Sequence, residues 1–228
     1  MKRVLIAATA VAATIAIAGV PAAAADDVTL ANAKKLTIAR IDGRLAVLKA
    51  DGVVTHAAAR LTDDHQSTLR AIVDADIKGL TALRAEVETE TTVAAVKDDA
   101  RSMVVDYRVY MLVGPQVRLT VAADIASATH DRLVAVAGKL QKAIDAAKAA
   151  GKDVTEAQAK LDHMRSELAA AEAALNGTAD ALLAVKPSPD AEALKAAKDA
   201  ARTKIRDART HLRAAVADAR AGAAHLTA

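Results

Sequence analysis

Val154-Thr-Glu-Ala157-Gln-Ala-Lys-Leu161-Asp-His-Met164-Arg-Ser-Glu-Leu168-Ala-Ala-Ala171-Glu-Ala-Ala-Leu175 decides the fold. Its apolar residues recur at alternating three- and four-residue steps, and Thr178, Leu182 and Val185 continue the register. That period places them along one helical seam with charged residues flanking it, the pattern of a coiled coil. Asn176-Gly177 interrupts the run with a turn dipeptide. Because the register passes through it, the reading is one helix with a soft spot.

The same period extends outward in both directions. Downstream, Lys186-Pro-Ser-Pro-Asp190 forces a non-helical link, since two prolines within three residues restrict the chain. Ser188 or Asp190 then caps a last helix with the stripe Leu194, Ala197, Ala201, Ile205, Ala208, Leu212 and Val216, fraying beyond Arg220. Upstream, a helix ending at Ala150 and Gly151 carries Ile125, Leu133, Val136, Leu140 and Ile144.

Asp106-Tyr-Arg-Val-Tyr-Met-Leu-Val-Gly-Pro115 is read as the end of a helix begun at Thr91 or Thr92, with a kink at Gly114-Pro115. Val117 to Val121 alternates like a strand, but nothing else in the chain offers it a partner. Before these, one helix runs from Thr29 to a stop at Asp51-Gly52, with Ile38, Ile41, Leu45 and Leu48 on one face. A second, capped by Thr62, carries Leu69, Ile72, Val73, Ile77, Leu80, Leu83 and Val87 to about Glu90.

The expectation is an all-α, elongated antiparallel bundle of about five or six long helices with coiled-coil segments. Its parts are a cleaved signal peptide over residues 1–25, an N-terminal bundle over 26–150 and a C-terminal hairpin over 151–228, the last two fusing into one bundle as the alternative.

Composition agrees. Hydrophobic residues make up 53% of the chain but aromatic ones only 1%, so the core is built of Leu, Val, Ile and Ala and is thin. The chain has no cysteine, which excludes disulfides, thiol catalysis and Cys-metal sites.

The N-terminus reads as an export signal. Lys2 and Arg3 precede an apolar run from Val4 to Val20, and Ala23-Ala24-Ala25 offers a cleavage site before Asp26-Asp27. An uncleaved anchor is the competing reading. No second apolar segment follows, so the mature chain is expected to lack a transmembrane span and to be secreted or held non-covalently at the wall. Removing Lys2 and Arg3, with no acid in residues 1–25, takes the formal charge from +3 to +1.

Charge alternates along the helices. Residues 26–50 carry five bases and three acids, and residues 60–90 carry four and seven. Residues 153–185 carry two bases and six acids, and residues 190–228 carry eight and five. Neighbours of opposite sign favour antiparallel hairpins for the first two and the last two helices.

Sites are sparse. None of the six histidines stands at His-x-x-x-His spacing, and all are read as solvated side chains rather than zinc ligands. Asp63-Asp64, Asp98-Asp99 and Glu86-x-Glu88-x-Glu90 are read as solvated charges, since alternate positions on a helix do not converge. No phosphate loop or nucleophile elbow is present. No catalytic residue, metal or cofactor is expected.

Two interaction candidates remain. Tyr107, Arg108, Tyr110 and Arg118 combine residue types enriched in interfaces, although Tyr107 and Tyr110 at three-residue spacing also suit a core. Lys195, Lys198, Arg202, Arg206, Arg209 and Arg213 could grip an anionic wall polymer, lipid surface or nucleic acid, or simply face the acidic helix before them.

The leader, Arg-Ile-Asp-Gly-Arg-Leu at 40–45 and Asp-Tyr-Arg-Val-Tyr at 106–110 together resemble uncharacterised exported Ala-rich helical proteins of high-GC Gram-positive bacteria. The resemblance covers most of the mature chain. It implies export and an all-helical fold, and no activity, cofactor or catalytic residue. The expected role is structural or interactive, toward an unknown envelope protein or a second copy, with polyanion binding as the alternative.

Overall fold

The computed structural model describes the backbone of residues 22–57 and 59–227, and the side chains from Thr29 onward apart from 56 and 57. Most of the expected leader lies outside the described residues. Seven α-helices occur among them: α1 (Ala22–Ala57), α2 (Asp63–Thr89), α3 (Val93–Val105), α4 (Gly114–Ala149), α5 (Thr155–Leu175), α6 (Thr178–Leu183) and α7 (Ala191–Thr227). A π-helical turn, Val109–Val113, leads into α4. The described residues contain no strand, and the fold is an all-α helical bundle. No described helix is long and apolar enough to cross a membrane.

The helix starts follow from local chemistry. The hydroxyls of Thr62 and Thr92 accept from the backbone N–H of His65 and Ala95, each at 3.2 Å. Asp153 accepts from the N–H of Thr155 and Asp190 from that of Ala193, each at 2.9 Å. These side chains satisfy amides that have no partner inside the helix.

Two main cores form. In the first, Ile41, Leu45 and Leu48 of α1 meet Leu69, Val73, Leu80 and Val87 of α2, with Val96 and Met103 of α3 beside them. Arg84 of α2 reaches Asp42 of α1 at 2.9 Å, and Lys34 reaches the carbonyl of Glu88 at 3.0 Å, so the two helices are antiparallel. In the second, Leu133, Leu140 and Ile144 of α4 meet Leu161, Met164 and Leu168 of α5 and Ala208, Leu212 and Ala215 of α7. His211 of α7 contacts Glu167, and His163 contacts Asp218, so α5 and α7 are also antiparallel. Gln141 of α4 meets both Gln158 and Arg165 of α5, which sets α4 against α5. Ala123 of α4 clusters with Ile205 of α7 and Leu140 meets Gly222, so α4 runs parallel to α7, and its two ends serve different cores.

Five expectations are corrected. α1 does not stop at Asp51-Gly52. Asp51 and Thr55 are buried, the Thr55 hydroxyl donates to the Asp51 carbonyl at 2.9 Å, and a Cβ on Gly52 would lie 3.7 Å from Val73. Packing against α2 thus overrides the low helix propensity of glycine.

The bend expected at Gly114-Pro115 sits at Tyr107-Arg108 instead. Arg108 has φ 47°, in the left-handed region, while Gly114-Pro115 opens α4. The π-turn runs straight into α4, with the Gly114 N–H donating to the Val109 carbonyl, so Pro115 follows that turn without a bend of its own.

Asn176-Gly177 is a break and not a soft spot. α5 ends at Leu175, and Gly177 takes φ 62°, which a residue without Cβ adopts freely. The seam register nevertheless survives, since Thr178 and Leu182 are buried. Ile125 and Val136, assigned to the buried stripe of α4, are exposed, and Ala126 and Ala137 take the core positions. Finally, α7 does not fray beyond Arg220. Gly222 is buried against Leu140 and Lys160, and the helix continues to Thr227.

Two glycines show how tightly the packing differs from place to place. A Cβ on Gly79 would stand 2.6 Å from the Tyr107 ring, whereas one on Gly138 would meet nothing within 4 Å. Gly79→Ala should cost about 1–3 kcal/mol by forcing the ring aside. Gly138→Ala in the exposed middle of α4 should add about 0.5–1 kcal/mol. Denaturant titration of the two variants checks both signs.

Candidate functional site

The four residues of the first candidate patch have separate jobs. Tyr107 is half-buried and packs over Gly79 against the first core. Burial raises its phenol pKa, and the charges of Asp76, Asp106 and Glu86 raise it further. The Arg108 guanidinium donates to the carbonyls of Ser188 at 2.8 Å and Pro189 at 3.0 Å, clamping the Pro-Ser-Pro link to the start of the π-turn. That clamp accompanies its left-handed backbone.

Tyr110 is 54% exposed, with the Arg44 guanidinium 5.0 Å above its ring. Arg118 lies 3.7 Å from buried Asp51, whose pKa burial raises and Arg118 lowers. Only Arg108 and Tyr110 share a surface hollow, of about 130 Å³ with Arg44.

The basic residues of α7 divide in two. Lys195 and Arg202 both bond Asp199, at 3.0 and 2.8 Å, and Arg206 lies 3.6 Å from Asp207. Lys198 is half-buried. Arg209, Arg213 and Arg220 have no ionic partner among the described residues.

The acidic helix α5 does not pair with these bases. Its links to α7 are His163–Asp218 at 2.6 Å, Lys160–Asp218 at 3.9 Å and His211–Glu167 at 2.8 Å. The alanine seam explains this. Ala157, Ala171, Ala208 and Ala215 are buried between the helices, so short groups bridge the edge while the long basic chains of α7 are left on exposed positions.

Histidines are where the sequence reading misses most. His65 is not a solvated side chain. Its Nδ1 lies 2.9 Å from Asp124 of α4 and its Nε2 lies 3.1 Å from Asp180 of α6. Asp124 is only 5% exposed and also accepts from the N–H of Thr62 at 2.9 Å. An imidazolium satisfies both carboxylates with two N–H donors. Burial pulls the His65 pKa down, but the Asp124 and Asp180 bonds and charges outweigh it, and the net shift is upward.

His65, His130, Asp131 and Glu172 line one recess of about 490 Å³ at this junction. Both nitrogens of His65 are thus engaged with carboxylates. The recess joins four helices, α2, α4, α5 and α6. The signal lay in long-range pairing, 59 and 115 residues away in sequence, which spacing alone does not carry. No group of three or more His, Asp or Glu residues among those described could hold a metal ion.

The expected solvated acids are mixed. Asp63 and Asp64 are exposed in the first turn of α2. Asp99 has its pKa raised by burial and by the charges of Glu90, Glu86 and Asp98.

A second recess, about 440 Å³, runs between α4 and α7. Ile125, Leu212 and Val216 contribute its apolar surface, and Arg209, Arg213 and Arg220 its charge. No acid lines it. No family model, curated protein or solved structure matches the chain.

Mild acid should stabilise the fold. The raised pKa of His65 makes its contribution complete below the ordinary value of 6.5, and that contribution is lost as pH rises through the higher folded value. Burial raises Asp76 from 3.8 to about 6, so its folded form also holds a proton longer and stability falls as pH climbs through about 6. His65→Gln should therefore destabilise most near pH 5 and less near pH 8, pH values set roughly by those shifts. Asp76→Asn should stabilise by about 1 kcal/mol near pH 8, discounted for solvent screening, and do little near pH 4. Urea titrations across that range check both.

Proposed function

We propose that the protein is exported, is not an enzyme, and works by holding a partner protein at the cell envelope. The observation that carries this reading is the face shared by α4 and α7. There Ile125 is 40% exposed, and Val136, at helical spacing further along α4, is 39% exposed, while Leu133 and Leu140 of the same helix are buried. Exposed aliphatic side chains beside unpaired arginines make up the kind of surface that partners use. The leader motif supports export.

Polyanion binding is the second reading, favoured by the unpaired state of Arg209, Arg213 and Arg220. It draws less on the rest of α7, because Asp199 and Asp207 offset Lys195, Arg202 and Arg206. Each exposed pair of this kind contributes only about 0–1 kcal/mol, so the offset acts on the local charge more than on the fold.

One experiment tests the leading reading. A photo-crosslinking residue at Thr129, on the α4–α7 face, is compared with one at exposed Lys49 on α1, in cells expressing the full chain. The expected result is an extracytoplasmic product beginning at Asp26 that crosslinks to a discrete envelope protein from position 129 only. An uncleaved cytoplasmic chain, or equal labelling from both positions, overturns it. Recovery of wall polymer in place of protein moves the function to the second reading.

A further inference from the structure

The α4–α7 groove takes the apolar side of an acidic amphipathic helix, we propose, so that the partner supplies a fourth helix to the bundle of α4, α5 and α7. This rests on the interaction reading above and adds the chemistry of the partner.

The shape comes first. α4 and α7 run in the same direction: Ala123 shares a small apolar cluster with Ile205, and Leu140 lies 3.1 Å from the Cβ position of Gly222. The groove between them therefore lies along both axes. On α4, Ile125, Thr129, Arg132 and Val136 follow the spacing of one helical face. On α7, Arg209, Arg213, Val216 and Arg220 follow the same spacing. Each row covers eleven residue steps, or about 16 Å of helix. A rod of about three turns fits that length.

Charge and apolarity then select among rods and surfaces. Arg209, Arg213 and Arg220 line the groove, and no acid does. Arg132, exposed on the α4 side, adds a fourth base with no ionic partner among the described residues. An occupant with carboxylates along its flanks would meet them in line. Leu212 is buried at the base of the groove, so a flat bilayer would touch the arginines and leave that base unfilled. A nucleic acid would gain nothing from Ile125 and Val216. A helix with aliphatic residues at i, i+4, i+7 and i+11 and Glu beside them satisfies both features, in the groove-binding mode helices use elsewhere.

The test uses the full exported chain and two fluorescent synthetic helices. One is a Leu/Ala/Glu amphipathic peptide of about 15–20 residues, long enough to hold helix. The other is its Leu/Ala/Lys counterpart. By anisotropy, the acidic peptide should bind saturably and the basic one should not. Arg209→Glu with Arg213→Glu, both at exposed positions, should weaken the acidic peptide at least about tenfold and transfer preference to the basic peptide, since reversed charges alter specificity in both directions. Ile125→Glu should weaken the acidic peptide too.

Equal binding of both peptides, or binding indifferent to the arginine reversals, overturns the proposal. So does arginine-dependent binding of phosphatidylglycerol vesicles without binding of the acidic peptide. If crosslinking from Thr129 still captures a protein while the acidic peptide fails, the interaction reading stands and the helical, acidic partner is wrong.

Discussion

Close approach of helices across small side chains is the constraint on which the rest of this structure depends. Ala157, Ala171, Ala208, Ala215 and Gly222 are all buried between α5, α7 and their neighbours, and no Phe or Trp exists to fill a wider gap. Each alanine buries little area, so the interface has to be long to be stable at about 25 cal/mol per Å². α7, spanning Ala191–Thr227, supplies that length. The same closeness keeps charged groups at the margin of the seam, where histidines and carboxylates link the helices, as in His163–Asp218 and His211–Glu167.

From that constraint follows what was and was not legible in the residues. The seam from Ala157 to Leu182 is buried where its period places it, as are Leu69, Val73, Leu80, Leu83 and Val87 of α2. Period reports on burial, and it did so even across Gly177, where the helix itself is interrupted. Helix ends were less legible, because they depend on neighbours distant in sequence. Gly52 stays helical by resting on Val73, and Gly222 by resting on Leu140. Arg108 takes a backbone conformation rare for its type and is held by carbonyls 80 and 81 residues away. No local rule reaches that far.

The site was legible only in part. The basic run of α7 is plain in the sequence, and two of its members, Arg209 and Arg213, line a groove. The sequence could not separate them from Lys195 and Arg202, which spend their charge on Asp199 within the same helix. Ile125 and Val136 fit the buried period of α4 as well as Leu133 does. They are exposed because α4 serves two partners on one side, and Ala126 and Ala137 already meet the needs of a tight seam. A stripe broader than the interface it serves is invisible to a period count.

The His65 junction shows how the two cores are made to act together. α2 belongs to the first core, and α6 gives Leu183 to that core and Ala179 to the small cluster with Ala123 and Ile205. α4 itself runs from one core into the other, and polar links add to that connection where α2 and α6 meet it. His65 does so by bridging buried Asp124 and exposed Asp180, while Gln116 donates to the carbonyls of Leu182 and Val185 at 2.9 and 3.0 Å. Burying Asp124 without His65 would leave a carboxylate supported by the Thr62 amide alone, at a cost of several kcal/mol for an unpaired charge. The link is therefore strong as long as the imidazole keeps its proton, and it weakens as pH rises through the raised pKa of His65.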